Sequence, residues 1–329
     1  MTVSIGMYEK SHAIIGDRLA KLGLDVKVHT FDKSSTFLVD GRRVAPAEMD
    51  LDYMWLQSAI NIDNFQKGAF DLSLACRSIK VLQTFNAGLD HPFYKQLSAK
   101  GTRICNSSAQ AVAISEYVFG QLLAVLQPIP EQRAMQARKE WKITPYREIA
   151  GQRWLIVGYG PIGQEVAKRA KAFGATTAVL RRSPAPHPYA DSMGTLADLH
   201  ARAAEADVVV LACPLNAATR GLAGPEFFTC VKKGAILVNI ARGGLVDDAA
   251  MLAALDSGHL DTAILDVFHE EPLPADNPLW AHPKVRMTSH TSFAGSGVGG
   301  RWQVLFLDNI QRFVRGEPLV NEVRPSDLA

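Results

Sequence analysis

Little in this sequence departs from balance, and each shortage removes a class of function. Lys and Arg total 35 against 33 Asp and Glu, a net charge of +2, so neither nucleic acid nor an anionic membrane is indicated as a partner. Cysteine is scarce. Cys76, Cys105, Cys213 and Cys230 stand far apart in apolar runs with no CxxC spacing, which offers no metal cluster or disulfide framework and predicts buried, reduced thiols in a cytoplasmic protein. Long hydrophobic runs are missing too. The most apolar span, AVAISEYVFGQLLAVL, is shorter than a bilayer requires and carries Glu116. MTVSIGMYEKSH places Glu9 and Lys10 where the apolar centre of a signal peptide would run. There is no repeat and no low-complexity segment, which leaves a small molecule as the expected ligand.

What is present is a folded chain of ordinary make-up, 47% hydrophobic and 21% charged, and its 329 residues exceed what one core comfortably serves. VSIGM, IIGDRLAKLGL, VKVHTF and IKVLQTF give a strand and helix rhythm that predicts an α/β domain with a parallel sheet. A helical period runs from Ala109 to Leu126 and is expected to end near Pro128–Pro130, before a polar traverse over 131–150. A second unit then begins. WLIVG, TAVLR, DVVVLA, AILVNI, AILDV and VRMTS predict six strands in βαβ alternation, a doubly wound sheet. The last stretch, WQVLFLDNIQRFVRG, predicts a helix with Val304, Leu305, Leu307, Ile310 and Phe313 along one stripe.

GYGPIG follows the strand WLIV and opens the helix QEVAKRAKAF. In that setting Gly158 permits a tight turn, Gly160 lets the backbone approach a pyrophosphate, and Gly163 lets helix and strand pack closely. The helix N-terminus adds N–H donors and partial positive charge. After the next strand, where an acid would hold both ribose hydroxyls of NAD, the chain has Arg181, Arg182 and Ser183. Two cations and a hydroxyl favour a ribose carrying a 2′-phosphate, so NADPH is the expected cofactor and NADH a weaker alternative.

Three later loops carry chemistry. NIARGGLVD presents Arg242, LDVFHEEP presents Asp266, Glu270 and Glu271, and RMTSHTS presents His290, each after a predicted strand. Reduction of a 2-oxo acid needs a cation for the carboxylate, a proton donor for the carbonyl oxygen and a group that keeps the donor charged. Arginine, histidine and a carboxylate supply those roles.

Taken together, GYGPIG, NIARGGLVD, LDVFHEEPLP, the PLW at 278–280 and the His290 loop closely resemble the D-isomer-specific 2-hydroxyacid dehydrogenases, in particular the glyoxylate/hydroxypyruvate reductase branch. The resemblance runs from NAGLD at 86–90 to GEPLVNEV at 316–323 and is weak before about residue 75. It implies a Rossmann-type doubly wound sheet inserted into a discontinuous flavodoxin-like substrate domain. The parts expected are 1–106 and 291–329 for the substrate domain and 107–290 for the dinucleotide domain. It makes Arg242 the binder of the substrate carboxylate and keto oxygen, His290 the general acid, and Glu271 the residue that holds the histidine. Ala87 and Gly88 would grip the carboxylate from the substrate domain. Pro161, Ile162, Cys213, Pro214, Thr219, Ile240 and Ala241 would line the cofactor cleft, with Asp266 on the nicotinamide amide. Ser289 and Asn86 replace a frequent proline and glycine. The helix from Ala109 and the traverse containing Trp141 match a dimer-forming region, so a homodimer is expected. The activity implied is reduction of glyoxylate or hydroxypyruvate to the D-2-hydroxy acid; the alternatives are a dehydrogenase of bulkier 2-oxo acids and an NAD(H)-sensing corepressor module.

Overall fold

The computed structural model describes residues 2–328. Chain order begins with Val3–Tyr8 (β1), Val26–Phe31 (β2), Phe37–Val39 (β3), Arg42–Val44 (β4), Asp50–Leu56 (β5), Ser78–Thr84 (β6) and Arg103–Cys105 (β7). It continues with Arg153–Val157 (β8), Thr176–Leu180 (β9), Ser192–Gly194 (β10), Val208–Leu211 (β11), Ala235–Asn239 (β12), Leu260–Leu265 (β13) and Val285–Met287 (β14), and returns with Glu322–Val323 (β15). These form two sheets in two compact units, one running up to Ala109 and resuming at Ser296, the other spanning Gln110–Gly295. The division lies a few residues beyond the crossings expected at 106 and 290.

In the discontinuous unit the sheet order is β15-β7-β6-β5-β1-β2-β3-β4, with β5, β6 and β7 on one side of β1 and β2 on the other. The pairs from β2 through β1, β5 and β6 to β7 are parallel, whereas β3, β4 and β15 join antiparallel at the edges. The last helix, Val298–Arg315, buries Trp302, Phe306, Leu307 and Ile310. Phe306 stacks on Trp55 with ring centroids 4.3 Å apart, a pairing worth about 0.5–1.5 kcal/mol beyond the area it buries. Of the expected stripe, Leu307 and Ile310 are buried and Phe313 packs against the core, and the departure is at one position. Val304 is exposed and Phe306 holds the centre, because residues 302, 306 and 310 recur at four-residue spacing and lie on one helical face. The Arg103 guanidinium grips both Glu322 oxygens, at 2.7 and 2.6 Å, and ties β15 to β7.

The contiguous unit has sheet order β10-β9-β8-β11-β12-β13-β14, and every pairing is parallel. Its central strands are apolar without alternation because helices cover both faces; all residues of β11 and β12 are buried. The direction of winding reverses between β8 and β11, so the loops after these strands diverge at a switch point, where open α/β sheets bind ligands. Seven strands replace the six expected. The additional one, β10, is Ser192-Met193-Gly194, too short and too weakly apolar for alternation to reveal.

Two further expectations change. Pro128–Pro130 does not open an irregular traverse: Pro130 lies in the first turn of a new helix, Ile129–Ala137, where a missing N–H breaks no hydrogen bond. Only the stretch after that helix lacks regular structure. Of the four free thiols, Cys76, Cys105 and Cys213 are buried and Cys230 is exposed; burial pushes each of the three up to about 12.

Candidate active site

The glycine turn follows β8 directly. Gly158 has φ +100, and a Cβ there would lie 2.6 Å from the Ala212 carbonyl and the Cys213 nitrogen. At Gly163 a Cβ would fall 2.1 Å from the Gly158 oxygen. Both positions are closed to side chains by the protein itself. Gly160 is different, since nothing lies within 4 Å of a Cβ built on it. Space left open beside a glycine at the start of the helix Pro161–Ala172 fits close approach by a phosphate group. Pro161 is exposed and Ile162 partly buried in that first turn. β9 ends at Leu180, after which the Arg181 N–H bonds the Gly194 carbonyl at 3.0 Å, and Arg182 and Ser183 are exposed.

The loop after β12 is shaped by Asn239, which is 1% exposed. Its Nδ2 donates to the Arg242 carbonyl at 2.9 Å and its Oδ1 accepts from the Ala241 N–H at 3.1 Å. Ile240 is buried, Ala241 partly so, and the half-buried Arg242 side chain donates from Nη1 to the Ala241 carbonyl at 2.7 Å. Gly243 then lies flat against the Phe268–His269 peptide. A Cβ at 243 would be 2.0 Å from the Phe268 carbonyl carbon, so glycine is what lets the Arg242 loop and the Glu271 loop share one edge.

Asp266, at the end of β13, is fully buried. Its Oδ1 accepts from the Thr288 hydroxyl at 2.6 Å and the Thr291 N–H at 2.9 Å, and its Oδ2 from the Ser292 N–H at 3.0 Å. Its main-chain oxygen accepts the His290 N–H at 2.8 Å. One residue therefore cradles the whole turn in which His290 adopts φ +50, a left-handed conformation that costs of order 1 kcal/mol outside glycine. Thr288 Oγ1 also lies 2.8 Å from the Tyr117 hydroxyl. Glu271 approaches from the other side: Oε1 accepts the Phe268 N–H at 2.9 Å while Oε2 lies 2.7 Å from His290 Nδ1. With Nδ1–H given to the carboxylate, Nε2 is the nitrogen that can deliver a proton outward.

Residues 119–292 match the family model described as the D-isomer specific 2-hydroxyacid dehydrogenase NAD binding domain. The chain belongs to this dehydrogenase family. It is 34% identical over 264 residues to a D-3-phosphoglycerate dehydrogenase of Methanocaldococcus jannaschii, covering 78% of this chain and 50% of that one. It is 31% identical to the glyoxylate/hydroxypyruvate reductase A of Salmonella newport, covering 76% and 82%. The solved structure of an NADPH-dependent glyoxylate/hydroxypyruvate reductase from Sinorhizobium meliloti, in complex with NADP and sulfate, matches with TM-score 0.74 and 26% identity over 100% of this chain and 99% of that one. The chain spans 50% and 58% of the length of the D-3-phosphoglycerate dehydrogenases of Methanocaldococcus jannaschii and Bacillus subtilis.

In this family member the other expected site residues are placed as follows. Cys213 is buried and Pro214 exposed after β11, and Thr219, also buried, donates to the Pro214 carbonyl at 2.6 Å while accepting from the Asn216 N–H at 2.9 Å. Thr219 thus shapes the loop through its own hydroxyl. Ala87 and Gly88 follow β6 in the other unit, where the Ala87 carbonyl accepts from Asn106 Nδ2 at 2.8 Å and the Asn86 amide donates to the Tyr94 hydroxyl at 2.6 Å. Four residues that shape the edge, Asn239, Gly243, Thr288 and Tyr117, were not among the expected ones. A small polar residue ending a buried strand, as Asn239 does, is the signal that points to such a role.

Proposed function

We propose that this dehydrogenase reduces a small 2-oxo acid, glyoxylate or hydroxypyruvate, to the D-2-hydroxy acid with NADPH in preference to NADH. The observation that carries the reading is the 2.7 Å contact between Glu271 and His290 at the sheet edge that also presents Arg242. Gly160 and the helix it opens would hold the pyrophosphate, and Arg181, Arg182 and Ser183 the 2′-phosphate, consistent with the acid-free end of β9 and with the NADP bound in the Sinorhizobium reductase. The bound cofactor supplies the hydride for the substrate C2. Arg242 draws the carboxylate and keto oxygen to it through a planar, permanently charged fork. His290 gives a proton from Nε2 to the carbonyl oxygen as negative charge builds there, and Glu271 keeps Nδ1 protonated and the ring oriented. Parts in the same reading fall to Ala87 and Gly88 on the substrate carboxylate and to Asp266 on the nicotinamide amide.

A second reading, a bulkier or phosphorylated 2-hydroxy acid, is favoured by the 34% identity to a phosphoglycerate dehydrogenase. Comparing kcat/KM for glyoxylate, hydroxypyruvate, longer 2-oxo acids and D-3-phosphoglycerate, each with both cofactors, separates the two. Highest kcat/KM on glyoxylate or hydroxypyruvate with NADPH supports the first; highest on D-3-phosphoglycerate supports the second. Arg181→Asp with Arg182→Ala should cut the NADPH preference by roughly 10- to 150-fold, the value of a lost charge-assisted phosphate contact. Trp141, Ile143 and Tyr146 project large apolar side chains into solvent from the stretch after Ile129–Ala137. That exposure supports a homodimer, and a monomer mass by light scattering at micromolar concentration would refute it.

A further inference from the structure

The loop that follows β9 carries three prolines, Pro184, Pro186 and Pro188, and so has few main-chain donors with which to fix itself. Its ends are fastened. Arg181 N–H bonds the Gly194 carbonyl at 3.0 Å, and the Asp191 carboxylate accepts from the Thr177 N–H at 2.8 Å and pairs with Lys171. Its middle is tied to β9 where the Thr177 hydroxyl donates to the Tyr189 carbonyl at 2.8 Å, and to the glycine turn where His187 Nδ1 lies 2.7 Å from the Tyr159 hydroxyl. The rings meet edge to face, centroids 5.0 Å apart at 85°, and Tyr189 flanks the imidazole at 5.3 Å. The Tyr189 N–H also faces Nδ1, at 3.4 Å. An N–H can only donate, so Nδ1 is the acceptor and the Tyr159 hydroxyl donates to it.

Tyr159 is the second residue of the glycine turn and is 5% exposed. Burial raises its phenol above the ordinary value, and the positive charge of Arg181 opposes the rise. The glycine turn and the proline-rich loop that begins at Arg181 are thereby joined through these two side chains.

We propose that Tyr159 and His187 form a latch that sets selectivity for a phosphate on the adenosine ribose, acting as positioning residues that hold Arg181, Arg182 and Ser183 in place. This rests on the NADPH reading above. A rigid arm presents its cations without ordering them at the moment of binding, and that saving is realised only when the ligand carries the 2′-phosphate.

The test is calorimetric titration of 2′,5′-ADP and of 5′-AMP into the full-length protein, as wild type, Tyr159→Phe, His187→Ala, the double variant, His187→Asn, and Arg181→Asp with Arg182→Ala. Each latch single should weaken 2′,5′-ADP by about 3- to 10-fold, the span of one neutral hydrogen bond, and 5′-AMP by less than about twofold. The double variant should be no weaker than the weaker single, because both remove the same contact. His187→Asn, whose amide oxygen can take the place of Nδ1, should recover most of the loss. Equal weakening of both ligands, no weakening, or a double variant equal to the product of the singles overturns the latch. If the arginine variant loses 2′,5′-ADP while the latch variants do not, the latch alone falls. Should the wild type bind both ligands equally, the NADPH reading falls and the latch with it.

Discussion

Glu271 and His290, nineteen residues apart, are joined so that each carboxylate oxygen has a separate duty: Oε2 meets the imidazole Nδ1 at 2.7 Å, and Oε1 is fixed by the Phe268 N–H at 2.9 Å. The carboxylate cannot turn away from the ring without breaking the second bond.

His290→Ala should therefore lower kcat by at least about 100-fold with cofactor binding little changed. Glu271→Gln should fall between that variant and the wild type, since the amide can still hold the ring but no longer favours its charged form. Near-normal turnover of His290→Ala would remove the histidine from the mechanism.

Arg242→Lys should raise KM for the oxo acid and lower kcat together, each by about tenfold, because an ammonium cannot reproduce a two-pronged contact. A KM for glyoxylate equal to that of the wild type would show that the carboxylate is bound elsewhere.

Asp266→Asn puts an amide where three donors converge, the Thr288 hydroxyl and the Thr291 and Ser292 N–H groups. One of them must face another donor in a fully buried site, at a cost of about 1–3 kcal/mol. Loss of stability in urea and a drop in kcat should appear together, since the same bonds carry His290. A variant with wild-type stability and turnover would show that the cradle is dispensable.

His29 on β2 is 7% exposed, and its Nδ1 has no hydrogen-bond partner among the described residues. Burial, helped by Lys27 and opposed by Asp40, holds its pKa below 6.5. The unfolded chain protonates this ring at about 6.5, so the stability tied to its neutral form is complete above that pH and is lost as pH falls toward the folded value. The thermal stability of the wild type should fall between pH 7.5 and 5, and His29→Leu should flatten that change. Identical slopes for the two proteins would assign it to other groups.

Long apolar strands, the glycine turn and the arginine, glutamate and histidine after three strands were legible because each is encoded within a few neighbouring residues. What escaped was set by approach between distant segments. Gly243 looks like any loop glycine until the Phe268–His269 peptide lies against it, and nothing beside Asp266 in the sequence announces the three donors from residues 288–292 that surround it. β10 escapes for want of length, and Phe306 is hidden in the last helix because Val304 is as apolar as its buried neighbours.

The split of one unit around the other sets an order of events during synthesis. Trp55 and Tyr53 are made early, but the helix carrying Phe306, which covers them, emerges only after Gln110–Gly295 has been completed. At ribosomal rates that interval is roughly 10–40 s. The contiguous unit can close first, while the earliest-made sheet waits with an aromatic face bare. A nascent chain arrested just after Gly295 should show a protease-resistant later segment and a cleavable earlier one, with the uncovered face a target for holding chaperones; equal resistance of both segments would mean that the first sheet closes without its last helix.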